Sequence, residues 1–189
     1  RHGIAAVASE IVEGGSRVFL QTTRFDRVGE RGRRAVVSLA AMGAEYQGAP
    51  PRDGEWSGAI ERLERDRWLE RGITSRVRVV EAFGRFIANA GMDASNVSFL
   101  PSDDGRLDLA PVYDMLPMAY APVAGEVPER EFAVPLPEPG HAKAWTDAGE
   151  IAAGYWDAVA RDDRVSRPFR EIAEANAAAI EDALARFRR

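Results

Sequence analysis

The stretch from Asn96 to Pro117 constrains this chain most. It reads as an apolar run, Asn96-Val-Ser-Phe-Leu100, then a polar turn, Ser102-Asp-Asp-Gly105, then a second run, Leu109-Ala-Pro-Val-Tyr-Asp-Met-Leu-Pro117. Two apolar runs around a glycine-containing polar turn predict a β-hairpin. Closing it would bring the amide oxygen of Asn96 and the carboxylate of Asp114 towards one ion. That pair suits Mg²⁺, which takes hard oxygen ligands and keeps waters and substrate phosphates in the rest of its shell. Two plainer readings stay open at this point. Asp114 could be a turn aspartate that caps the next segment through a backbone N–H, and Asn96 a structural loop asparagine.

The flanking sequence is mostly helical. Val79, Val80, Phe83, Phe86 and Ile87 recur at helical spacing and predict a buried helix from about Ser75, which delivers the chain to Asn89. Earlier, Ala5 to Val12 and Arg17 to Arg24 predict a β-hairpin with Gly14-Gly15 as its turn. Asp26 to Arg34 is charged and glycine-containing, a loop; Ala35 to Met42 is a short helix or strand. Gly48 to Gly58 reads as a surface loop, and Ile60 to Leu69 as a weakly amphipathic helix. Six prolines between Met115 and Pro139 predict an extended excursion without a regular helix. Thr146 is placed to cap a helix with Ile151, Tyr155 and Val159 on one face. Ser166 and Pro168 open a last helix carrying Phe169, Ile172, Ile180, Leu184 and Phe187.

Composition narrows the function. Across 189 residues the net charge is −5, which opposes broad nucleic-acid binding, since that depends on neutralising phosphates. The run Arg31-Gly-Arg-Arg34 reads as a solvated loop. With no cysteine there is neither a disulfide nor a thiolate metal site, which fits a reducing, cytoplasmic setting. No apolar run reaches the ~20 residues of a membrane span. His2 and His141 are too isolated for a dyad or a metal site. Met42, Met115 and Met118 read as core filler, and Trp56, Trp68, Trp145 and Trp156 as full or partial core. Lys143 is the only lysine, and no Gly-x-Gly-x-x-Gly loop is present. The opening on Arg1 without methionine suggests a piece of a longer polypeptide.

Three segments resemble the HipA-like kinase family. Ile87-Ala-Asn-Ala-Gly-Met-Asp-Ala-Ser-Asn-Val-Ser-Phe99 is similar to that family's Ile-Gly-Asn-Thr-Asp-x-His-x-x-Asn-x-Ser-Phe loop. Leu109 to Asp114 is similar to its Leu-x-Pro-x-Tyr-Asp, and Val18 to Arg27 resembles its hinge strand and Glu-Arg-Phe-Asp-Arg signature. The resemblance implies a mainly α fold with small β elements, the large C-terminal lobe of a kinase-like HipA fold. Residues 1–25 would be a β-hairpin and hinge left from the small lobe, and 26–189 the helical lobe. It implies ATP and Mg²⁺ as cofactors. Asn96 and Asp114 would hold the metal, and Thr23, Arg24 and Phe25 would seat the adenine, although the family's hinge glutamate is Thr23 here.

The departures fall on the proton acceptor. Where the family carries its base aspartate this chain has Gly91, and its loop histidine is Asp93. Asp93 is either a substitute base or a solvated loop acid. Without a base, a general-base contribution of roughly 10²–10⁴-fold is lost. A phosphate-holding lysine would have to come from a lobe preceding Arg1. The resemblance therefore implies an impaired serine/threonine kinase of the toxin–antitoxin type, acting on an unidentified protein. The alternative is a non-catalytic pseudokinase scaffold for an antitoxin-like protein partner. The two loop changes could also have been introduced to silence a toxic enzyme.

Overall fold

A computed structural model describes residues 4–188, so the isolated His2 lies outside the described residues. Among the described residues, helices dominate: α1 Leu39–Gln47, α2 Trp56–Arg65, α3 Ile73–Phe86, α4 Ala142–Arg161 and α5 Arg167–Phe187. The strands are short: β1 Ser9–Gly14, β2 Arg17–Thr22, β3 Arg27–Val28, β4 Gly32–Arg33, β5 Val37–Ser38, β6 Ser98–Pro101 and β7 Leu107–Leu109. The fold is thus mainly α with small sheets, ordered β1-β2, β3-β4 and β5-β6-β7, as expected. The chain divides into two compact units, the first made of the described residues up to Arg76 with Asp93–Asp114, the second of Val77–Met92 with the residues from Met115 on.

In the first unit the amino-terminal hairpin forms, but one residue later than expected. Gly14 pairs with Arg17, so the turn is Gly15-Ser16 rather than Gly14-Gly15. Only Gly15 takes the left-handed φ of 63°, which glycine adopts without steric penalty. The ribbon is exposed throughout, with apolar groups on both faces: Ile11, Val18 and Leu20 on one, Val12 and Phe19 on the other. Ala8 still accepts from Thr23 N–H, and the residues before it leave the ribbon. Val7 N–H donates to the Val112 carbonyl, and Val112 N–H to that of Ala5. Asp26 to Arg34 is more than a loop, because β3 and β4 pair antiparallel and Arg34 N–H closes on the Asp26 carbonyl at 2.9 Å.

Ser38 caps α1 by accepting from Ala41 N–H. Helix α2 starts at Trp56, earlier than expected, because Trp56, Ile60 and Leu63 line one buried stripe. Glu64 then receives the N–H groups of Gly72 and Thr74 at 2.7 and 2.8 Å, together with the Thr74 hydroxyl. It thereby satisfies donors at the start of α3 that have no intrahelical acceptor. Burial alone would raise the Glu64 carboxyl, but the bonds from Thr74 and Gly72 outweigh it and hold the group below its ordinary value. Trp68 is 43% exposed and stacks on Tyr46, so it is partial core at most.

The second unit packs around Trp156. Its indole N–H donates to the Phe86 carbonyl at 3.1 Å, and Tyr120 and Phe169 surround it. Helices α4 and α5 are joined by the short segment 162–166, which makes antiparallel neighbours the natural arrangement. Helix α4 begins at Ala142, not at Thr146, whose hydroxyl bonds back to the Ala142 carbonyl from inside the helix. Helix α5 opens after Ser166 with proline in its first turn, as expected. The proline-rich stretch carries only a one-turn 3₁₀ element, Met118–Tyr120, and is tied down where Trp145 Nε1 donates to the Pro135 carbonyl at 2.6 Å. Met42 is buried, whereas Met118 is 43% exposed and is not core filler.

Candidate functional site

The hairpin expected to carry a metal site lies in the first unit. Phe99, fully buried, pairs with Leu109 on one side and Val37 on the other, which fixes the register of the three-stranded sheet. The second strand ends at Leu109 rather than at Tyr113-Asp114. Pro111 has no N–H to continue the ladder, and the chain turns out to its Val112 bridge with Ala6. Asn96 likewise lies before the strand, at the end of the 3₁₀ turn Ala94–Asn96.

The two side chains nevertheless meet, through the Asn96 amide nitrogen and not the oxygen that a shared ion would need. Asn96 Nδ2 donates to Asp114 Oδ2 at 2.9 Å. Asp114 has φ 56°, unusual for a residue with a Cβ. Arg67, Ala88 and Ala124 share the left-handed region, which aspartate enters more readily than most residues with a Cβ. Among the described residues no group of three or more His, Cys, Asp and Glu side chains converges. The donor set of one carboxylate and one amide therefore fits Mg²⁺ bound mainly through waters and phosphate oxygens, and does not suit an all-protein cage.

Tyr113, next in the chain to Asp114, lines a cleft of about 280 Å³ together with Thr23, Arg24, Phe25, Asp26 and Ser98; neither Asn96 nor Asp114 is part of its wall. All three residues expected to seat an adenine thus face one cavity. The Thr23 N–H donates to the Ala8 carbonyl at 3.0 Å, so that donor is engaged within the protein. Arg24 grips Asp26 with two hydrogen bonds of 2.7 Å, and that guanidinium holds the Asp26 carboxyl below its ordinary value. Phe25 lies 5.7 Å from the Tyr113 ring. Sequence reasoning missed Asp26, Ser98 and Tyr113 as lining residues. The spacing Arg24-Phe-Asp26 was a visible cue for the first; the other two have no local signal.

The proton-accepting positions look different. Asp93 is exposed and caps the 3₁₀ turn, accepting from Ser95 N–H at 2.6 Å. Hydrogen bonds from the Ser95 side chain and backbone hold its carboxyl below the ordinary range, which makes it a weaker base. Gly91, in the second unit, donates its N–H to Asn89 Oδ1 at 2.9 Å. A Cβ built on Gly91 would meet only Asn89 Oδ1 and Met118 Cγ, each at an ordinary 3.5 Å. Lys143, also in the second unit, is exposed on α4 and paired with Asp147 at 2.6 Å.

Comparison with known proteins identifies the family. A family model described as the HipA-like C-terminal domain matches residues 1–184, and the chain belongs to that family. Over 174 residues it is 40% identical to a protein of Escherichia coli (strain K12) named Toxin YjjJ, covering 91% of this chain and 38% of that one. The chain therefore spans well under half the length of this relative. A solved structure, titled as the Shewanella oneidensis MR-1 toxin–antitoxin system of HipA, HipB and its operator DNA, superposes with a TM-score of 0.49 at 16% identity. That match covers 98% of this chain and 46% of the other. No helix among the described residues is long and apolar enough to cross a membrane.

Proposed function

We propose that the first unit carries the nucleotide and magnesium half of a HipA-like serine/threonine protein kinase whose proton-accepting half is degraded. The observation that carries this reading is the 2.9 Å contact between Asn96 and Asp114, the latter following Tyr113, which lines a cleft together with Thr23, Arg24 and Phe25. In it the hinge residues seat the adenine, and Asn96 and Asp114 hold Mg²⁺. When bound, the ion neutralises charge on the β- and γ-phosphates, the usual electrostatic share of phosphoryl transfer. Ser98 and Tyr113 shape the wall between the two. Asp93 is held as a cap with lowered basicity, and Gly91 has no side chain, so transfer is slow.

Calorimetric titration of the full-length protein with ATP, with and without Mg²⁺, tests this. Magnesium should strengthen binding, and Asp114→Ala should remove that gain. ATP binding indifferent to Mg²⁺ in the unsubstituted protein would refute it.

A second reading has support in the same capped Asp93 and side-chain-free Gly91. The unit would then be a non-catalytic scaffold for an antitoxin-like protein, since fold alone does not dictate activity. Partner binding unaffected by Asp114→Ala, in a protein without magnesium-dependent nucleotide binding, would favour it.

A further inference from the structure

Asn96 and Asp114 sit on segments that share no strand pairing at those positions, and Asp114 is held at φ 56°. Something besides the sheet must fix their approach. The residue preceding Asp114 supplies it. Tyr113 Oη lies 2.9 Å from the Ser95 carbonyl and 2.8 Å from Ser98 Oγ. A phenol has one proton, which goes to the carbonyl because a carbonyl can only accept; the Ser98 hydroxyl must then donate to Tyr113 Oη.

The result is two parallel rungs between the same two segments. Tyr113 to Ser95 and Asp114 to Asn96 both span eighteen residues of sequence. One rung is anchored at the tip of a long rigid side chain, and the other carries the metal-binding groups. The Tyr113 ring also lines the cleft and lies against Phe25 of the hinge, 5.7 Å between centroids. The Tyr113 side chain therefore touches the 3₁₀ turn, strand β6 and the hinge while being covalently next to Asp114.

We propose that Tyr113 is a positioning residue that sets the Asn96–Asp114 pair for a divalent cation and couples it to occupancy of the neighbouring cleft. This rests on the nucleotide and magnesium reading above. Tyr113 does not itself bind the ion. Its phenol holds the turn that presents Asn96, and its backbone holds Asp114 in the left-handed conformation. A purine-sized ring pressed against Phe25 would press on Tyr113 as well, so base binding and metal binding reinforce each other.

The test is the ratio of ATP affinities measured with and without Mg²⁺ on the full-length protein. Tyr113→Phe keeps the ring and removes the hydroxyl. It should shrink that ratio by about fivefold to tenfold, the scale of one lost hydrogen bond with a carbonyl left unpaired, beyond any change in Mg²⁺-free affinity. Ser98→Ala removes the donor to the phenol and should shrink the ratio in the same direction by a smaller factor. Phe25→Leu should weaken Mg²⁺-free binding more than it changes the ratio. A merely structural role for Tyr113 would lower both affinities in parallel and leave the ratio within twofold, and that overturns the inference. If Tyr113→Phe does not fold, Ser98→Ala decides alone: a ratio within twofold of the unsubstituted protein overturns the proposal. An unsubstituted protein whose ATP binding ignores Mg²⁺ sinks the magnesium reading and this inference together. A magnesium gain lost in Asp114→Ala but intact in both hydroxyl variants sinks this inference only.

Discussion

Placing a carboxylate at position 91, where the family resemblance puts the base, is the sharpest perturbation of the proposed reading. Gly91 is exposed, its φ lies outside the left-handed region, and a Cβ there meets nothing closer than 3.5 Å. Gly91→Asp should therefore fold, with stability within about 0.5–1 kcal/mol of the unsubstituted protein, the range of compatible glycine replacements and surface changes. If the missing base is what limits transfer, the gain in rate should be about 10²–10⁴-fold, equal to about 2.7–5.4 kcal/mol of barrier at 1.36 kcal/mol per tenfold. Single-turnover transfer of the γ-phosphoryl group of ATP to protein, in the full-length chain, reads this directly. Gly91→Asn is the control, since it has nearly the same shape and cannot accept the proton. A gain in Gly91→Asp no larger than in Gly91→Asn would refute the reasoning.

Three further outcomes follow from the local chemistry. Asp93→Asn keeps an oxygen for the Ser95 N–H, so residual transfer and melting temperature should change little, whereas Asp93→Ala should cost about 1 kcal/mol as a lost cap; a tenfold rate loss in Asp93→Asn would make Asp93 a base after all. Glu64→Gln should lower stability in denaturant titrations by about 1–3 kcal/mol, because a charged acceptor shared by three donors is weakened. The Glu64 carboxyl is held below its ordinary 4.5, so its contribution is present above that pH and lost as pH falls through the lowered folded value; the Gln variant should flatten that acid limb. Tyr120→Phe leaves the buried Asn176 Nδ2 without its 3.1 Å partner and should cost about 1–3 kcal/mol by thermal unfolding.

The parts of this molecule legible in sequence were those set by periodicity and turn chemistry. Val79 to Ile87 announced α3, Ser166 and Pro168 announced α5, and the apolar runs around Ser102-Gly105 announced the β6-β7 hairpin. Element ends were harder, because tertiary bonds decide them. Thr146 had cap chemistry, yet α4 starts a turn earlier, and the β3-β4 ladder of Arg27–Val28 with Gly32–Arg33 is too short to leave a pattern. Asp93 could have been read as a cap, since aspartate two residues before a serine N–H is a common local motif. The left-handed Asp114 and the reach of Tyr113 to Ser95 had no local signal. They depend on contacts between segments eighteen residues apart, which only the folded chain reveals.

The central claim is that residues 96 and 114 jointly bind a divalent ion beside a nucleotide. Anomalous diffraction from crystals of the full-length protein grown with Mn²⁺ and a non-hydrolysable ATP analogue tests it most directly. The account predicts a peak about 2.0–2.3 Å from the Asn96 amide oxygen and an Asp114 carboxylate oxygen, in line with oxygen-ligated divalent ions, with the base in the cleft beside Phe25. A peak bound to other groups, or an analogue bound with this pair still hydrogen-bonded to itself and free of metal, would contradict it.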